Sequence, residues 1–186
     1  DKGCFMFRRL FCLLPTLFFA ACSVSQLPPV SHDEFSRLEL KILALGPHVS
    51  AEEAVRAARV ALQYPRHLRS QYEVTDGPLI HNSKVNAGTR PRGLCWHWAQ
   101  DMQMRLAAEQ FETLDLHRAI ANSNLALRID HSTVLISAAG DTMLNAIVLD
   151  PWRFGGLLYF GTLVEDTKYK WLPQTEVLRK RAENQL

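Results

Sequence analysis

Three residues, Cys95, His131 and Asp150, have the side chains of a nucleophile, a general base and an orienting acid. A cysteine nucleophile needs a base within hydrogen-bond reach and a third group that orients that base. Cys95 follows the turn residues 91–93 and falls in the first turn of a predicted helix. The unpaired N–H groups and the positive dipole end at that position favour the thiolate, which is the nucleophilic form. The alternative is that Cys95 is a small buried apolar residue.

His131 begins one predicted strand and Asp150 ends the next, on either side of Gly140-Asp141. If residues 140–141 form a two-residue hairpin loop, His131 and Asp150 pair directly across the strands, with Cβ atoms about 4.5–5.5 Å apart. An aspartate at that distance fixes the tautomer of an imidazole while the other ring nitrogen faces the thiol. A one-residue slip would put the two side chains on opposite faces. The alternative is a strand-end histidine beside an aspartate that caps a turn before Pro151.

His97 is the histidine nearest to Cys95 in the sequence, but side chains two residues apart on a helix point to opposite sides. We therefore expect His97 on the exposed polar face. For the same reason Cys95 and His97 cannot converge on one ion, and no other cysteine follows Cys22. We expect no zinc or other metal site. The glycines, including Gly155-Gly156, follow no phosphate-binding pattern, and we expect no cofactor.

An acyl transfer at Cys95 would need hydrogen-bond donors for the oxyanion. The backbone N–H of Cys95 is the first candidate, and Asn86 or Asn82 from the preceding segment is the second. Asparagines there are equally suited to forming turns. Three tryptophans near these residues could line a substrate groove or could instead belong to the core: Trp96, Trp98 and Trp152.

Residues 1–22 have the layout of a secretory signal, with two arginines before an apolar stretch from Leu10 to Ala21. That stretch contains Pro15 and is shorter than the about 20 residues that a membrane-spanning helix needs. Its end, Phe19-Ala20-Ala21-Cys22, resembles the lipobox of bacterial lipoproteins, in which the cysteine is acylated and becomes the mature N-terminus. A buried N-terminal helix is the alternative.

The residue after the lipobox, Ser23, is not acidic, which implies sorting to the outer membrane. We expect a lipoprotein that faces the periplasm, with acyl chains on Cys22 inserted in the bilayer and residues 23–31 as a tether.

Removal of this leader changes the charge and the cysteine count. The chain has 186 residues and a formal net charge of +2, and three basic residues but one acidic residue precede Cys22. The remainder is neutral, without the clustered surplus of cations that nucleic-acid binding needs, so we expect no nucleic-acid partner. Cys4 and Cys12 would leave with the leader and Cys22 would carry lipid. Cys95 would then be the only thiol of the folded part, unable to form an internal disulfide.

The elements that must position these residues are helices followed by strands. Apolar spacing predicts a helix over residues 33–45, a second that begins at the capping box Ser50–Glu53 and ends at Pro65, and a third over residues 94–110. Residues 66–93 are predicted to be mainly irregular. Alternation predicts four strands, and a closing helix follows: residues 114–121, 132–138, 144–149 and 157–163, then the helix 174–183.

This order of helices and then antiparallel strands indicates one α+β domain over residues 32–186, with the third helix packed on the sheet. On that helix we expect one face to be buried and the opposite one to be polar. The buried face comprises Cys95, Trp98, Ala99, Met102 and Leu106.

Three segments resemble the transglutaminase-like superfamily of papain-like cysteine enzymes, and in particular its bacterial cysteine-peptidase branch. They are Gly93-Leu94-Cys95-Trp96-His97-Trp98-Ala99, Asp130-His131-Ser132 and Leu149-Asp150-Pro151-Trp152. The resemblance covers roughly residues 92–152, about a third of the chain. It implies a papain-like fold with Cys95 as nucleophile, His131 as general base and then acid, and Asp150 as orienting residue.

Together these features predict an envelope-tethered cysteine hydrolase or acyltransferase that acts on amide bonds of a peptide or protein, including peptidoglycan stem peptides. One alternative is a binding or assembly factor that keeps the fold without turnover, with Trp96 or Arg90 covering Cys95. Another is an amidase of the peptidoglycan endopeptidase type, with the same Cys-His order and a different topology.

Overall fold

The computed structural model describes residues 27–125 and 128–183. The predicted leader, its lipobox and Cys22 lie outside these residues, as does the first part of the predicted tether. No helix among the described residues is both long and apolar enough to cross a membrane.

Helices occupy the first half of the described chain, and an antiparallel sheet occupies most of the second. The helices before the sheet are α1 (His32–Leu43), α2 (Ala51–Gln71), α3 (Pro78–Asn86) and α4 (Cys95–Ala107). The strands are β1 (Leu114–Ala121), β2 (His131–Ala138), β3 (Ile147–Phe154), β4 (Leu157–Thr162) and β5 (Leu172–Pro173), followed by α5 (Gln174–Glu183). The protein is therefore α+β, as the sequence predicts.

The sheet has the strand order β4-β3-β2-β1-β5, with every neighbouring pair antiparallel. Hairpin connections bring β1 to β4 together in sequence order, and the short β5 pairs with the free edge of β1 at Ala119 and Ile120. Two core clusters cover the two faces of the sheet. One joins the sheet to α1, α2 and α4, and the other is closed by the segment that contains Tyr169 and Trp171.

The predicted buried face of α4 is confirmed. Cys95 and Trp98 are buried together with Ala99, Met102 and Leu106, and α4 packs on β2 and β3. Apolar side chains at this spacing form one stripe along a helix, and burying each large one is worth about 1.5–3 kcal/mol. That stripe holds the start of α4, and with it Cys95, in a fixed place on the sheet.

The prediction that Pro65 ends the second helix is wrong, because α2 continues through it to Gln71. A proline inside a helix costs about 3 kcal/mol, since it loses one hydrogen bond and crowds the preceding turn. The turn that follows buries Leu68 completely and leads to Tyr72, which packs edge-on against Trp98 at 4.9 Å between ring centroids. Burial of two large side chains offsets the cost of the proline.

Residues 66–93 are also not mainly irregular, since α3 lies within them. Pro78 occupies the first turn of α3, where a missing N–H costs nothing. The buried side chains of α3 are polar, His81 and Asn82. A helix whose inward face is polar has no apolar periodicity, so the pattern that reveals the other helices is missing here.

The connection between β2 and β3 is longer than the predicted two-residue loop. Residues 139–146 lie between the strands and include a 3-10 turn at Met143–Asn145. Asp141 accepts hydrogen bonds from the Thr142 N–H (2.7 Å) and from Asn145 Nδ2 (2.9 Å), which stabilise that turn. The predicted strand over residues 144–149 is therefore displaced, and β3 begins at Ile147 and continues to Phe154.

Candidate active site

Cys95 is the first residue of α4, and the backbone before it is tightly constrained. Gly93 has φ +125°, and a Cβ on it would lie 2.3 Å from Nε2 of His81. Only glycine fits a position with that dihedral angle and that close neighbour. The His81 Nε2 is in turn 2.8 Å from the carbonyl oxygen of Arg92. His81 of α3 therefore fixes the conformation of the turn that precedes Cys95.

His97 lies inside this turn and not on an exposed face, so that prediction is wrong. Its side chain is buried, and Nδ1 accepts hydrogen bonds from the N–H groups of Gly93 and Leu94, each at 3.2 Å. Burial lowers the pKa of His97, and the charge of Arg92 lowers it further. A neutral imidazole that accepts two backbone hydrogen bonds caps the start of α4, a role that helix-face geometry alone does not reveal.

The thiol of Cys95 is almost enclosed, with 7% of the residue exposed, and it borders a cavity of about 840 Å³. The thiol donates a hydrogen bond to the backbone carbonyl oxygen of Asp130 at 3.3 Å. Asp130 directly precedes His131, so α4 begins at the end of the sheet where β2 starts. The backbone N–H groups in the first turn of a helix lack intrahelical acceptors, which leaves the N–H of Cys95 available beside its own thiol.

His131 and Asp150 form a buried hydrogen bond, with 2.7 Å between Nε2 and Oδ2. Their strands are paired two residues away from the predicted register: Leu135 lies opposite Val148, where the two-residue loop would have placed Ala146. The predicted direct pairing is wrong, and the two residues are diagonal neighbours. Because the displacement is even, both side chains stay on one face, and a diagonal pair is within reach of long side chains.

Three aromatic rings surround the imidazole of His131. The ring centroids of Trp152, Tyr169 and Trp171 lie 4.6, 4.6 and 5.1 Å from its own. With Nε2 bound to Asp150, Nδ1 is the free ring nitrogen; it is buried and has no close hydrogen-bond partner among the described residues. The rings and the aspartate fix the imidazole in one orientation.

The electrostatics of His131 favour the imidazolium. Burial alone would lower its pKa, but the charge and hydrogen bond of Asp150 raise it, and the nearby thiol of Cys95 adds to the increase, so that the pKa reaches about 9. The thiol of Cys95 is hydrogen-bonded to the carbonyl oxygen of Asp130, the residue before His131, so the two side chains lie at the same end of β2. At neutral pH the histidine is therefore a cation between a carboxylate and a thiol.

Asp150 is held by a second cation that the sequence does not reveal. Its Oδ2 accepts from Nε of Arg153 at 3.0 Å, and its Oδ1 accepts from the backbone N–H of the same residue at 3.2 Å. Burial raises the pKa of Asp150, but the charges of His131 and Arg153 outweigh burial and the pKa is lowered. Asp150 is thus a buried carboxylate anion with both oxygens engaged.

Arg153 continues the network to Asp166, in the segment between β4 and β5. Its two terminal nitrogens donate to Asp166 at 3.0 and 2.6 Å, and Asp166 also accepts from Nε1 of Trp171 at 2.9 Å. The same tryptophan packs against His131, so the contacts form a closed ring that begins and ends at His131. Nothing in the spacing of Arg153 and Asp166 points to this contact.

The three tryptophans have different environments. Trp96 is 46% exposed and lines the cavity beside Cys95. Trp98 is buried in the core against Tyr72, away from the cavity. Trp152 packs on His131 and donates from Nε1 to Oδ1 of Asn82 at 3.1 Å.

The two asparagines of α3 both border the cavity, but only the Asn82 side chain is buried and anchored. Asn86 is exposed, whereas Asn82 is 5% exposed and anchored through its Oδ1 to Trp152. With Oδ1 accepting that bond, the Nδ2 group is the remaining donor of the Asn82 side chain. Asn82 is therefore the better oriented of the two as a second donor near Cys95.

Arg90 does not line the cavity, and its Nε donates to the carbonyl oxygen of Glu73 at 3.1 Å. Within the ranges 27–125 and 128–183, no cluster of three or more His, Cys, Asp or Glu side chains is arranged to hold a metal ion. Comparisons of the chain with protein-family models, with curated proteins and with solved structures find no match.

Proposed function

We propose that this protein is a cysteine hydrolase or acyltransferase that acts on amide bonds of a peptide or protein. The observation that carries the proposal is the buried 2.7 Å hydrogen bond between His131 Nε2 and Asp150. It leaves Nδ1 as the free ring nitrogen, buried and without a close partner among the described residues, and the thiol of Cys95 is hydrogen-bonded to the carbonyl oxygen of the residue before His131. This arrangement supports Cys95 as the nucleophile, His131 as the base and Asp150 as the orienting acid of nucleophilic catalysis.

In the proposed reaction, the thiol proton already resides on the imidazolium of His131, and the Cys95 thiolate attacks the carbonyl carbon of the amide. The oxyanion is held by the N–H of Cys95 and by the side-chain amide of Asn82. The imidazolium gives its proton to the amine nitrogen as the C–N bond breaks, and a thioester remains. Water or a second amine then attacks the thioester, His131 takes the proton of the attacking group, and the Cys95 sulfur leaves.

The charge on His131 suits this sequence of steps. An imidazolium with a pKa of about 9 keeps its proton at neutral pH until the leaving amine accepts it. Its contact with Asp150 also stabilises the imidazolium while the Cys95 thiolate attacks. The cavity that borders Cys95 supports this role, since a substrate bound there would lie beside the thiol.

The order of a cysteine on a helix, a histidine at the next strand and an aspartate on the strand after supports the resemblance to the transglutaminase-like superfamily with its papain-like fold. The leader pattern of residues 1–22 supports an outer-membrane location facing the periplasm, with acylated Cys22 in the bilayer. The substrates within reach of such a protein are peptides and proteins of the cell envelope, peptidoglycan stem peptides included.

The test is the pH dependence of Cys95 alkylation by iodoacetamide, read by mass spectrometry of the peptide that contains Cys95. Restricted access slows alkylation equally at every pH, so the ratio of rates at pH 6 and pH 9 reports the thiolate alone. A free cysteine with pKa about 8.5 loses more than 100-fold in rate over that range. We expect a loss of less than about 10-fold for the wild-type protein, because the imidazolium stabilises the thiolate.

The variant His131→Gln should restore the steep profile of a free cysteine, and His117→Gln should not. His117 is a suitable control because its Nε2 lies 2.8 Å from Oγ of Ser137, away from the proposed triad. A wild-type profile as steep as that of free cysteine would refute the mechanism and favour a binding or assembly factor.

A further inference from the structure

Arg118 brings a cation to the wall of the cavity beside Cys95. It lies in β1 opposite Val134, whose side chain belongs to the core cluster on the helix side of the sheet. Arg118 and Ile120 therefore face α4, and both line the cavity together with Cys95. Arg118 is therefore held in place by a strand of the sheet and not by a loop.

This guanidinium lacks the carboxylate partners that Arg92 and Arg153 have. Its Nη1 donates to Oε1 of Gln103 at 3.3 Å, and its Nε is buried without a partner. Among the described residues no carboxylate lies within 4 Å of it, whereas Arg153 contacts two carboxylates and Arg92 contacts Asp101. A guanidinium has five N–H donors and cannot lose its charge in a protein, so most of its capacity is unused.

Among the described residues, the lining of the cavity offers Arg118 no free carboxylate. Its one acidic side chain, Asp130, is paired with Arg181 at 2.6 Å. Apart from Cys95, the remaining lining residues are neutral: Asn82, Asn86, Leu94, Trp96, Gln100, Gln103, Met104, Ile120, Ile129, Ser132 and Gln174. A partly desolvated guanidinium without a carboxylate partner is costly unless a ligand supplies one.

Arg118 is also within electrostatic range of the nucleophile. Burial lowers the pKa of Arg118, and the charge of Cys95 opposes that effect. A group bound to the guanidinium would therefore lie close to the reacting thiol. The cavity, at about 840 Å³, has the size of a site for a small peptide.

We propose that Arg118 binds a carboxylate of the substrate, so that the cleaved or transferred amide lies next to an acidic group. Arginine and carboxylate match in geometry, because two parallel N–H donors meet two oxygens. The carboxylate could be an acidic side chain or the C-terminus of a short peptide. This proposal rests on the proposed function, in that Cys95 is taken as the reacting group.

The test uses chloroacetyl peptides, which alkylate a thiol without turnover: the sulfur displaces chloride, and an S–C bond replaces the C–Cl bond. One matched pair is chloroacetyl-glutamate amide against chloroacetyl-glutamine amide. A second pair is chloroacetyl-alanyl-alanine with a free C-terminus against its C-terminal amide. Each pair differs in one carboxylate, and the two pairs separate a side-chain source from a C-terminal one.

For the wild-type protein we expect one of the two pairs to show at least about 10-fold faster alkylation of Cys95 by the carboxylate member, since hydrogen bonds to charged groups are strong. Arg118→Gln should abolish that preference, and Arg118→Lys should retain part of it. Arg179→Gln is the matched control, because it removes the same charge from the exposed side of α5. It should leave the preference unchanged.

Two results would overturn the proposal: no preference in either pair for the wild-type protein, or a preference that survives in a folded Arg118→Gln variant. The wild-type comparison decides the matter even if that variant fails to fold. The ratio within each pair is independent of how reactive the thiol is. A steep iodoacetamide profile would therefore refute the proposed function without affecting this measurement.

Discussion

Replacement of Asp150 by asparagine removes the charge that holds His131 as an imidazolium. The substitution Asp150→Asn keeps the size of the side chain and one oxygen for Nε of Arg153, which stays paired with Asp166. The imidazole keeps its three aromatic neighbours. The change therefore acts mainly on the electrostatics of His131, with the loss of one of the two oxygens that accept hydrogen bonds at this position.

The expected effect follows from the pKa of His131. A rise from the ordinary 6.5 to about 9 corresponds to about 3 kcal/mol in favour of the imidazolium. Burial is the largest influence on this group and acts against the charge, and Asp150 is the main opposing influence. Without that carboxylate, burial dominates, and the pKa of His131 should fall below 6.5.

The measurement is an NMR titration of protein with 13C-labelled histidine, followed at the Cε1–H group from about pH 5 to pH 10. The His131 signal is identified by its loss in His131→Gln, which is necessary because the chain has seven histidines. Asp76→Asn serves as the control, since Asp76 is bound to Lys84 at a distance from the site. It should leave the His131 titration at its wild-type value.

Stability provides a second readout of the same effect. A raised histidine pKa stabilises the folded state fully below pH 6.5, and the stabilisation is lost as the pH rises through about 9. The free energy of unfolding of the wild-type protein should therefore fall by about 3 kcal/mol between these limits relative to Asp150→Asn. A wild-type pKa near 6.5, or a variant that still titrates near 9, would refute the electrostatic reasoning.

Two further substitutions test the positioning of the nucleophile and the oxyanion donor. Gly93→Ala should destabilise the protein by about 3 kcal/mol in denaturant unfolding, because its Cβ would collide with His81. Gly88→Ala, also at positive φ but with open space around it, should cost only about 1 kcal/mol, and equal losses would contradict the steric argument. Asn82→Ala should lower kcat on a peptide substrate about 100-fold while Cys95 alkylation stays at the wild-type rate, whereas Asn86→Ala should leave both unchanged. Equal effects of the two asparagine variants would remove Asn82 from the oxyanion site.

Elements with a strong apolar period could be predicted from the sequence, and those held by polar contacts could not. The strand β1 and the helix α5 have the predicted bounds, and the buried face of α4 is the predicted one. The helix α3 was missed because its inward side chains, His81 and Asn82, are polar. The position of His97 was missed because its acceptor role depends on the turn before the helix, which lies outside the helical period.

The sequence predicts the contact between His131 and Asp150 from a two-residue hairpin loop, whereas the structure has a longer connection. Two side chains stay on the same face of a sheet when the strand register shifts by an even number of residues. The observed shift is two residues, so His131 and Asp150 share a face as predicted. The precise pairing depends on the conformation of the connection, where Asp141 stabilises a 3-10 turn in place of a two-residue loop. Side-chain alternation is thus a more robust predictor of a shared face than of direct pairing.

The rest of the site depends on contacts between distant segments, and these explain why His131 is a cation. Arg153 lies between Asp150 and Asp166, with its guanidinium 3.7 Å from the ring centroid of Tyr159. Two carboxylates against one guanidinium leave one negative charge in a buried cluster. The imidazolium of His131 balances that charge, so the cluster is neutral only when the histidine holds its proton. The residues that set this balance are 13 positions apart in one case and 19 in the other. Their meeting is decided by the folding of β3, β4 and the following segment against β2, which no local pattern specifies.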